Sequence, residues 1–153
     1  MKIVAITDNE WEDLKEIRLS SLKDSPEAFG LKYEEAVNYT SKDWKNIASD
    51  HENLKFFIAY ENDLAVGLIG GVFSNSECEL VSMWVSPNFR GLDIGGKLIR
   101  ILKEYALKHG YSSIVLKVSQ ENKSAYYLYK KCGFTITGKE GLNLQAMVWS
   151  GGV

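Results

Sequence analysis

The chain has 153 residues and 45% apolar side chains, which is enough for one hydrophobic core and predicts a single domain over 1–153. A net charge of −2 argues against nucleic-acid binding through bulk charge, and no apolar run approaches the ~20 residues of a membrane span. The start of the chain does not resemble a signal peptide, and two cysteines make no disulfide framework, so we expect a reduced, cytoplasmic protein.

The charges are unevenly distributed along the chain. Residues 1–89 carry 8 Lys and Arg against 16 Asp and Glu, whereas residues 90–131 carry 9 against 3. A basic segment attracts phosphates and an acidic one attracts cations, although charge also varies along the surface of any protein.

The N-terminal third predicts a strand and two or three helices. Lys2 to Ile6 is typical of a short strand, and Thr7 to Glu10 has the form of a capping box. The helix that follows should run to about Pro26, with apolar residues at helical spacing: Trp11, Leu14, Ile17 and Leu22. Residues 27–39 fit either a helix or a loop, and Ser41 is a candidate cap for a short third helix.

The middle of the chain predicts a meander. Strands are expected over 56–60, 65–73 and 79–85, separated by polar turns at 61–63 and 74–76. Connections this short indicate antiparallel neighbours.

Beyond Pro87 strands and helices alternate. We expect helices over 94–109 and 122–132, each ending before a glycine, and strands over 113–118, 134–138 and 144–149. A meander followed by this alternation predicts a mixed α/β (α+β) sheet with helices packed against it.

Residues 81–98 carry most of the chemical information. A strand enters a glycine-bearing loop, and the loop opens a helix, so free backbone N–H groups and the helix dipole converge on one point. Such a point suits a phosphate or pyrophosphate, and Arg90 and Lys97 add positive charge beside it.

Nucleotide-binding motifs do not match this loop in full. Residues 91–97 match G-x-x-x-x-G-K, but Leu98 follows where a P-loop needs Ser or Thr for Mg²⁺, and Asp93 would face the phosphates. The G-x-G-x-x-G pattern of a dinucleotide fold is absent.

The loop resembles the acyl-CoA loop of the GNAT N-acetyltransferase superfamily, whose pattern is Arg/Gln-x-x-Gly-x-Gly/Ala. Arg90 and Gly95 match that pattern, and Asp93 stands in place of its first glycine. The resemblance implies that acetyl-CoA is the donor substrate, held by the loop residues Arg90, Gly91, Leu92, Asp93, Ile94, Gly95, Gly96 and Lys97. We expect the Asp93 side chain to point outward and to be tolerated.

Residues 118–134 resemble the second signature of the same family. That signature is a strand, then Asn, then a helix with Ala and Tyr, then Gly-Phe. The spacing between the two signatures also fits, and the resemblance covers about 55–150. It implies a mostly antiparallel central sheet with helices on both faces.

The resemblance also assigns roles to single residues. The backbone of Met83, Trp84 and Val85 would pair with the pantetheine arm, and Asn122 would bond it from the start of its helix. Tyr129 would be the general acid that protonates the departing thiolate. Spacing alone does not choose between Tyr129 and its neighbours Tyr126 and Tyr127, and the match of Leu-Tyr-Lys-Lys-Cys-Gly-Phe to the family position favours Tyr129.

The base is less clearly indicated. Glu79 matches a position where some family members place a carboxylate, Glu77 is a second candidate, and a water relay would need neither. Both cysteines are interpreted as structural, because neither His51 nor His109 stands near one in sequence. No His and Cys spacing indicates a metal site, so we expect no metal.

The acceptor should contact the variable N-terminal part. The segment 22–30 resembles one that lines the acceptor cleft in many small members of the family, and Phe29, Tyr33 and the acidic pair at 34–35 are candidate contacts. The acidic N-terminal half favours a cationic acceptor.

These observations predict an acyl-CoA-dependent N-acyltransferase that moves acetyl directly to a primary amine on a small molecule or peptide. The alternative is a catalytically silent acyl-CoA-binding or regulatory module on the same fold, and a P-loop-like nucleotide-binding protein is a remote third. We expect no nucleic-acid or membrane partner, and a homodimer is a candidate assembly.

Overall fold

A seven-stranded sheet forms the centre of the computed structural model, which describes residues 1–26, 28–49, 53–139, 141 and 143–151. The strands are β1 Lys2–Ala5, β2 Leu54–Glu61, β3 Leu64–Phe73, β4 Cys78–Val85, β5 Ser113–Ser119, β6 Thr135–Lys139 and β7 Leu144–Ser150. The helices are α1 Trp11–Asp24, α2 Tyr33–Ala36, α3 Ser41–Ala48, α4 Ile94–Lys108 and α5 Lys123–Lys131. The strands lie in the order β1-β2-β3-β4-β5-β7-β6.

Every described strand pair is antiparallel except β4 and β5, which are parallel. The chain crosses from β4 to β5 through α4, as a parallel connection requires. The predicted mixed, mostly antiparallel sheet is therefore confirmed.

Helices cover the sheet on two faces, and each face has its own apolar core. The face covered by α4 and α5, here called the donor face, buries Leu98, Leu102 and Ile114 completely. The face covered by α1, α2 and α3, here called the acceptor face, buries Leu14 and Leu22 completely. Side chains alternate between the faces along each strand.

Side-chain caps set the starts of the N-terminal helices. The Thr7 hydroxyl accepts from Asn9 N at 3.2 Å and Glu10 closes the predicted capping box, although the box opens a 3₁₀ turn at Asp8–Glu10 that leads into α1. The cap of α3 is Thr40 and not Ser41, because the Thr40 hydroxyl accepts from Asp43 N at 3.1 Å. Ser41 is the first helical residue instead.

In the segment 27–39, predicted as either helix or loop, the described residues 28–39 form the single-turn helix α2 and otherwise no regular element. Glu27, the first residue of that segment, lies outside the described residues. His51, which stands near neither cysteine in sequence, also lies outside them.

β4 changes face at a bulge. Ser82 has a φ of 59°, and the pairing with β3 slips by one residue at this position. Leu80, before the bulge, packs in the donor-face core, whereas Trp84, after it, packs in the acceptor-face core. The bulge therefore turns the last residues of β4 over, next to the point where β4 leaves β5.

Candidate active site

β4 and β5 part soon after they meet. Their described pairing is limited to Cys78 with Ile114 and Glu79 with Val115, so the stretch from Leu80 to Val85 has no strand on this side. A cavity of about 540 Å³ opens in the gap, a size that suits a small-molecule ligand. Backbone groups without a strand partner are free to pair with an extended ligand.

The cavity gathers residues from β4, β5, α4 and α5, from the loop after α1 and from the loop before α4. Its lining includes most of the predicted donor-site residues: Met83, Trp84, Val85, Arg90, Gly91, Asp93, Ile94, Gly95, Gly96, Asn122 and Tyr129. Phe29 lines the same cavity, together with Ser25 and Ala28, so the predicted donor and acceptor regions meet in one space.

The N-terminus of α4 is open toward this cavity. Lys97 N donates to Asp93 O at 3.1 Å, and the N–H groups of the three preceding residues bond to no described residue. These unsatisfied donors at the positive end of a 15-residue helix form an anion-binding position.

Asp93 occupies the residue before α4 in the left-handed conformation, with φ 62° and ψ 23°. Its side chain is exposed, as expected, and it makes no capping bond. The carboxylate nevertheless bends back over the first turn, since a Cβ added to Gly96 would meet it. The side chain thus points to solvent without leaving the anion-binding position clear.

Arg90 is already bound within the protein. Its Nη2 donates to Asp24 Oδ2 at 2.9 Å, and its Nε donates to the Val85 carbonyl at 2.9 Å. The same Asp24 oxygen accepts from Trp84 Nε1 at 3.0 Å and from Ser25 Oγ at 2.9 Å. These donors, led by the indole N–H, lower the pKa of Asp24.

Asp24 was not predicted as a site residue. It is the last residue of α1, immediately before the segment that carries Phe29, and it ties that segment to the loop of Arg90. Sequence offers no signal for this link, because Asp24 and Arg90 are 66 positions apart.

α5 presents Asn122 and Tyr129 from its two ends. The Asn122 side chain caps the helix by accepting from Ala125 N at 3.3 Å, which leaves its amide N–H groups for a ligand. The Tyr129 ring is 6% exposed and packs edge-on against Phe134 at 5.8 Å. Its hydroxyl bonds to no described residue, and it is not among the fully buried polar atoms that lack a partner. Burial raises the pKa of Tyr129, so the phenol keeps its proton.

Several predicted residues lie outside the cavity lining: Glu79, Tyr33, Leu92 and Lys97, together with the further candidates Glu77, Glu34 and Glu35. Glu79 is half-buried in the last paired position before the gap opens. Tyr33 packs against the acceptor-face core, and Leu92 and Lys97 are exposed.

Sequence reasoning missed Ser82, Lys117 and Lys131, which all line the cavity. Alternation along β5 could have placed Lys117 opposite the core residues Leu116 and Val118. Nothing in the sequence indicates where that face leads.

The cysteines have the properties of structural thiols. Burial raises the pKa of Cys78 to about 12 and also raises the pKa of Cys132, so neither is a ready thiolate. Across the described parts of the chain, no three His, Cys, Asp or Glu side chains gather as a metal site would require.

The site matches the acyltransferase arrangement that the two sequence signatures imply. Two parallel strands separate beside an open helix N-terminus, and a tyrosine and an asparagine lie in the same cavity. The model of the acetyltransferase (GNAT) family matches residues 11–134. The chain belongs to this family.

Individual relatives agree with that assignment. A probable N-acetyltransferase family 8 member 5 from Mus musculus is 34% identical over 90 residues, which cover 55% of this chain and 40% of the mouse protein. The chain spans about two fifths of the length of the first curated relatives that it matches.

Solved structures show the same fold at low sequence identity. A GNAT-family acetyltransferase from Streptococcus pneumoniae has a TM-score of 0.84 at 19% identity over 99% of both chains. The PaiA N-acetyltransferase from Thermoplasma acidophilum, solved in complex with coenzyme A, has a TM-score of 0.78 at 19% identity, over 98% of this chain and 99% of that one. None of the described helices combines the length and apolar character needed to cross a membrane.

Proposed function

We propose that the protein transfers an acetyl group from acetyl-CoA to a primary amine, with both substrates bound at once. The observation that carries this proposal is the gap between β4 and β5, which joins the open N-terminus of α4 to Asn122 and Tyr129 in one cavity. Family membership supports the same reaction class.

The residues of the cavity fit acetyl-CoA along its length. The N–H groups at the start of α4 suit the pyrophosphate, and the unpaired edge of β4 offers main-chain bonds to the amide groups of the pantetheine arm. Asn122 adds an amide donor at the far side of the gap. Arg90 would bind phosphate while it keeps, or after it releases, its bond to Asp24.

The chemistry then needs few protein groups. The amine attacks the thioester carbonyl carbon, backbone N–H groups on the edge of β4 stabilise the oxyanion, and the C–S bond breaks. Burial raises the pKa of Tyr129, so the phenol is still protonated when the C–S bond breaks. Tyr129 then donates its proton to the departing thiolate, and the tyrosinate regains a proton through water from the one that the amine loses.

A proton must also leave the attacking amine. Glu79 lies one residue before the gap and outside the cavity lining, so we assign the first proton transfer to water and keep Glu79 as a candidate end of that relay. Glu77 is exposed in the preceding turn and is a less direct candidate.

Calorimetric titration of acetyl-CoA into the purified protein tests the donor site, with Mg-ATP as the control ligand. We expect micromolar binding of acetyl-CoA and no heat from ATP. A thiol-release assay over a broad amine panel then tests transfer.

Binding of acetyl-CoA without thiol release from any amine would favour the silent module instead. That alternative is motivated by Asp93, whose carboxylate lies over the first turn of α4. Heat from Mg-ATP with none from acetyl-CoA would revive the nucleotide-binding alternative.

A further inference from the structure

The acceptor face of the cavity carries a lysine whose charge no described residue neutralises. Side chains alternate along β5, and Leu116 and Val118 point into the donor-face core. Lys117 therefore points to the opposite face, where Trp84 and Phe29 also pack. Lys117 is exposed, lines the cavity, and forms no ion pair with a described residue.

The carboxylates near this face either already accept hydrogen bonds from other residues or lie outside the cavity lining. Asp24 already accepts hydrogen bonds from Trp84 and Arg90. Glu79 lies on the same side of β4 but is not part of the lining. The one carboxylate in the described lining is Asp93, and it lies at the start of α4 on the phosphate side of the cavity.

A second cation lies behind Phe29. The Arg18 guanidinium is 4.8 Å from the centroid of the Phe29 ring, and its one described polar contact is a 3.4 Å bond to Ser21 Oγ. Burial lowers the pKa of Arg18 to about 10, which still leaves it charged at neutral pH. It has no carboxylate partner among the described residues, so a second unpaired positive charge lies behind the Phe29 side of the cavity.

We propose that the acceptor is an amine that also carries a carboxylate, an amino acid or a close analogue, and that Lys117 binds this carboxylate. The inference rests on the proposed function and names the substrate class of the same site. A polyamine or an aminoglycoside would bring several positive charges toward Lys117 and Arg18, and like charges repel. A zwitterionic acceptor brings one negative group to the lysine and its amine to the thioester.

This inference reverses the expectation of a cationic acceptor from the acidic N-terminal half. Three of the acidic residues there serve other contacts in the structure: Asp13 accepts from the Tyr60 hydroxyl, Asp24 binds Arg90, and Asp43 closes the capping box of α3. Net charge over a segment does not report the charge that lines its cavity.

The test compares matched acceptors in the thiol-release assay, with purified full-length protein at saturating acetyl-CoA. The panel contains amino acids, their α-amides, and spermidine. We expect kcat/KM to be at least tenfold higher for the best amino acid than for its amide. The α-amine of an amide is less protonated and so more reactive, which biases the assay against this result.

Lys117→Gln then links the preference to the residue. We expect the ratio of amino acid to amide to fall to about one in this variant, while KM for acetyl-CoA changes less than twofold. Lys108→Gln, an exposed lysine outside the cavity, should leave both quantities unchanged.

A preference for spermidine, or for amides over acids, would overturn the inference while leaving the acetyltransferase proposal intact. The inference would also be wrong if Lys117→Gln raised KM for acetyl-CoA and left the ratio of amino acid to amide unchanged, since the lysine would then serve the donor. Failure to bind acetyl-CoA at all would instead defeat the proposed function itself.

Discussion

The two faces of the sheet are built in different ways around one cavity. On the donor face, the cavity is shaped by backbone: the freed edge of β4, the N–H groups that open α4, and the capped start of α5. On the acceptor face it is shaped by side chains from distant segments, among them Phe29 and Lys117, and Arg18 packs behind the Phe29 ring.

This difference matches what each substrate demands. A donor common to a whole family can be held by main-chain groups, which any side chain leaves in place, so local sequence patterns suffice to indicate the site. An acceptor that varies between family members must be recognised by side chains, whose arrangement depends on tertiary packing. The donor face is therefore predictable from short motifs, and the acceptor face is not.

The largest expected effect is on the donor side, at Tyr129. Replacing Tyr129 by Phe removes the proton donor and keeps the ring packed against Phe134. We expect kcat to fall by about 10²- to 10³-fold, within the range for loss of a general acid, with the calorimetric Kd for acetyl-CoA unchanged.

Tyr127→Phe is the matched control, because Tyr127 is 63% exposed on the same helix and lies outside the cavity lining. If the Tyr129→Phe enzyme turned over at the wild-type rate, Tyr129 would have no part in proton transfer.

The pH profile tests the same residue without a mutation. Burial raises the pKa of Tyr129, so the group stays protonated and able to donate throughout the neutral and mildly alkaline range. We expect kcat/KM to show no fall from Tyr129 below about pH 10, the ordinary pKa of tyrosine. A descending limb near pH 8 that vanished in Tyr129→Phe would contradict this.

Ser82 lies in the bulge at which the side chains of β4 change from one face of the sheet to the other. Its φ of 59° is strained for a β-branched side chain, so Ser82→Val should lower the free energy of unfolding by about 1–3 kcal/mol. Urea denaturation measures this, and binding of acetyl-CoA should weaken as the edge of β4 shifts. Ser82→Gly should be at least as stable as wild type, and a stable Ser82→Val protein would show that the bulge is not needed.

Asp24 links α1 to the loop of Arg90 and to Trp84, so its loss should weaken contacts on both sides of the cavity. Asp24→Ala leaves the indole N–H of Trp84, which is 7% exposed, without its partner, and we expect a loss of about 1–3 kcal/mol in urea denaturation. Asp24→Asn keeps an acceptor oxygen and should lose less.

The difference in unfolding free energy between wild type and Asp24→Ala should depend on pH with a definite sign. Because the pKa of Asp24 is lowered in the folded protein, its stabilisation is present above the ordinary carboxylate value of about 4 and is lost as the pH falls further. The difference in unfolding free energy between wild type and Asp24→Ala should therefore become smaller in acid. A gap that widened in acid would show that the Arg90 and Trp84 contacts do not favour the charged form.

The sequence located elements better than contacts. The helix expected over 94–109 is found at Ile94–Lys108, because apolar spacing and the following glycine both act locally. The cap of α3 was misplaced by one residue, since Thr40 and Ser41 are both good caps and only backbone geometry separates them. The bulge at Ser82 left no signal, because a register slip depends on the partner strand.

The candidate site divides in the same way. Residues in continuous motifs, such as Gly95 and Asn122, line the cavity, whereas Glu79 does not. Its place at the head of a strand fitted the role, but β4 and β5 stay paired at that residue and part only afterwards. Alternation along β5 separates Lys117 from Leu116 and Val118, but only the folded sheet shows that the face of Lys117 lines the cavity.

The smallest expected effect is at Asp93, where the chain departs from the family pattern. Asp93→Gly relieves a left-handed conformation that aspartate tolerates better than most residues, so the relief is smaller than the about 1–2 kcal/mol that the conformation costs an ordinary residue. The glycine also gains freedom in the unfolded chain, and a helix N-terminus loses a favourable negative charge, together about 1–2 kcal/mol in the other direction. Stability should therefore change by less than about 1 kcal/mol in urea denaturation.

The effect of Asp93 on acetyl-CoA is a question of charge, and Asp93→Asn isolates it because asparagine also tolerates this backbone conformation. The carboxylate lies over the first turn of α4, where the pyrophosphate is proposed to bind, but it is exposed to solvent and bonds to no N–H group there. Repulsion between exposed charges is screened, so both variants should tighten the calorimetric Kd for acetyl-CoA by less than tenfold, or 1.4 kcal/mol. A larger gain in both would show that the carboxylate occupies the phosphate position itself, and a gain in the glycine variant alone would assign the effect to backbone strain.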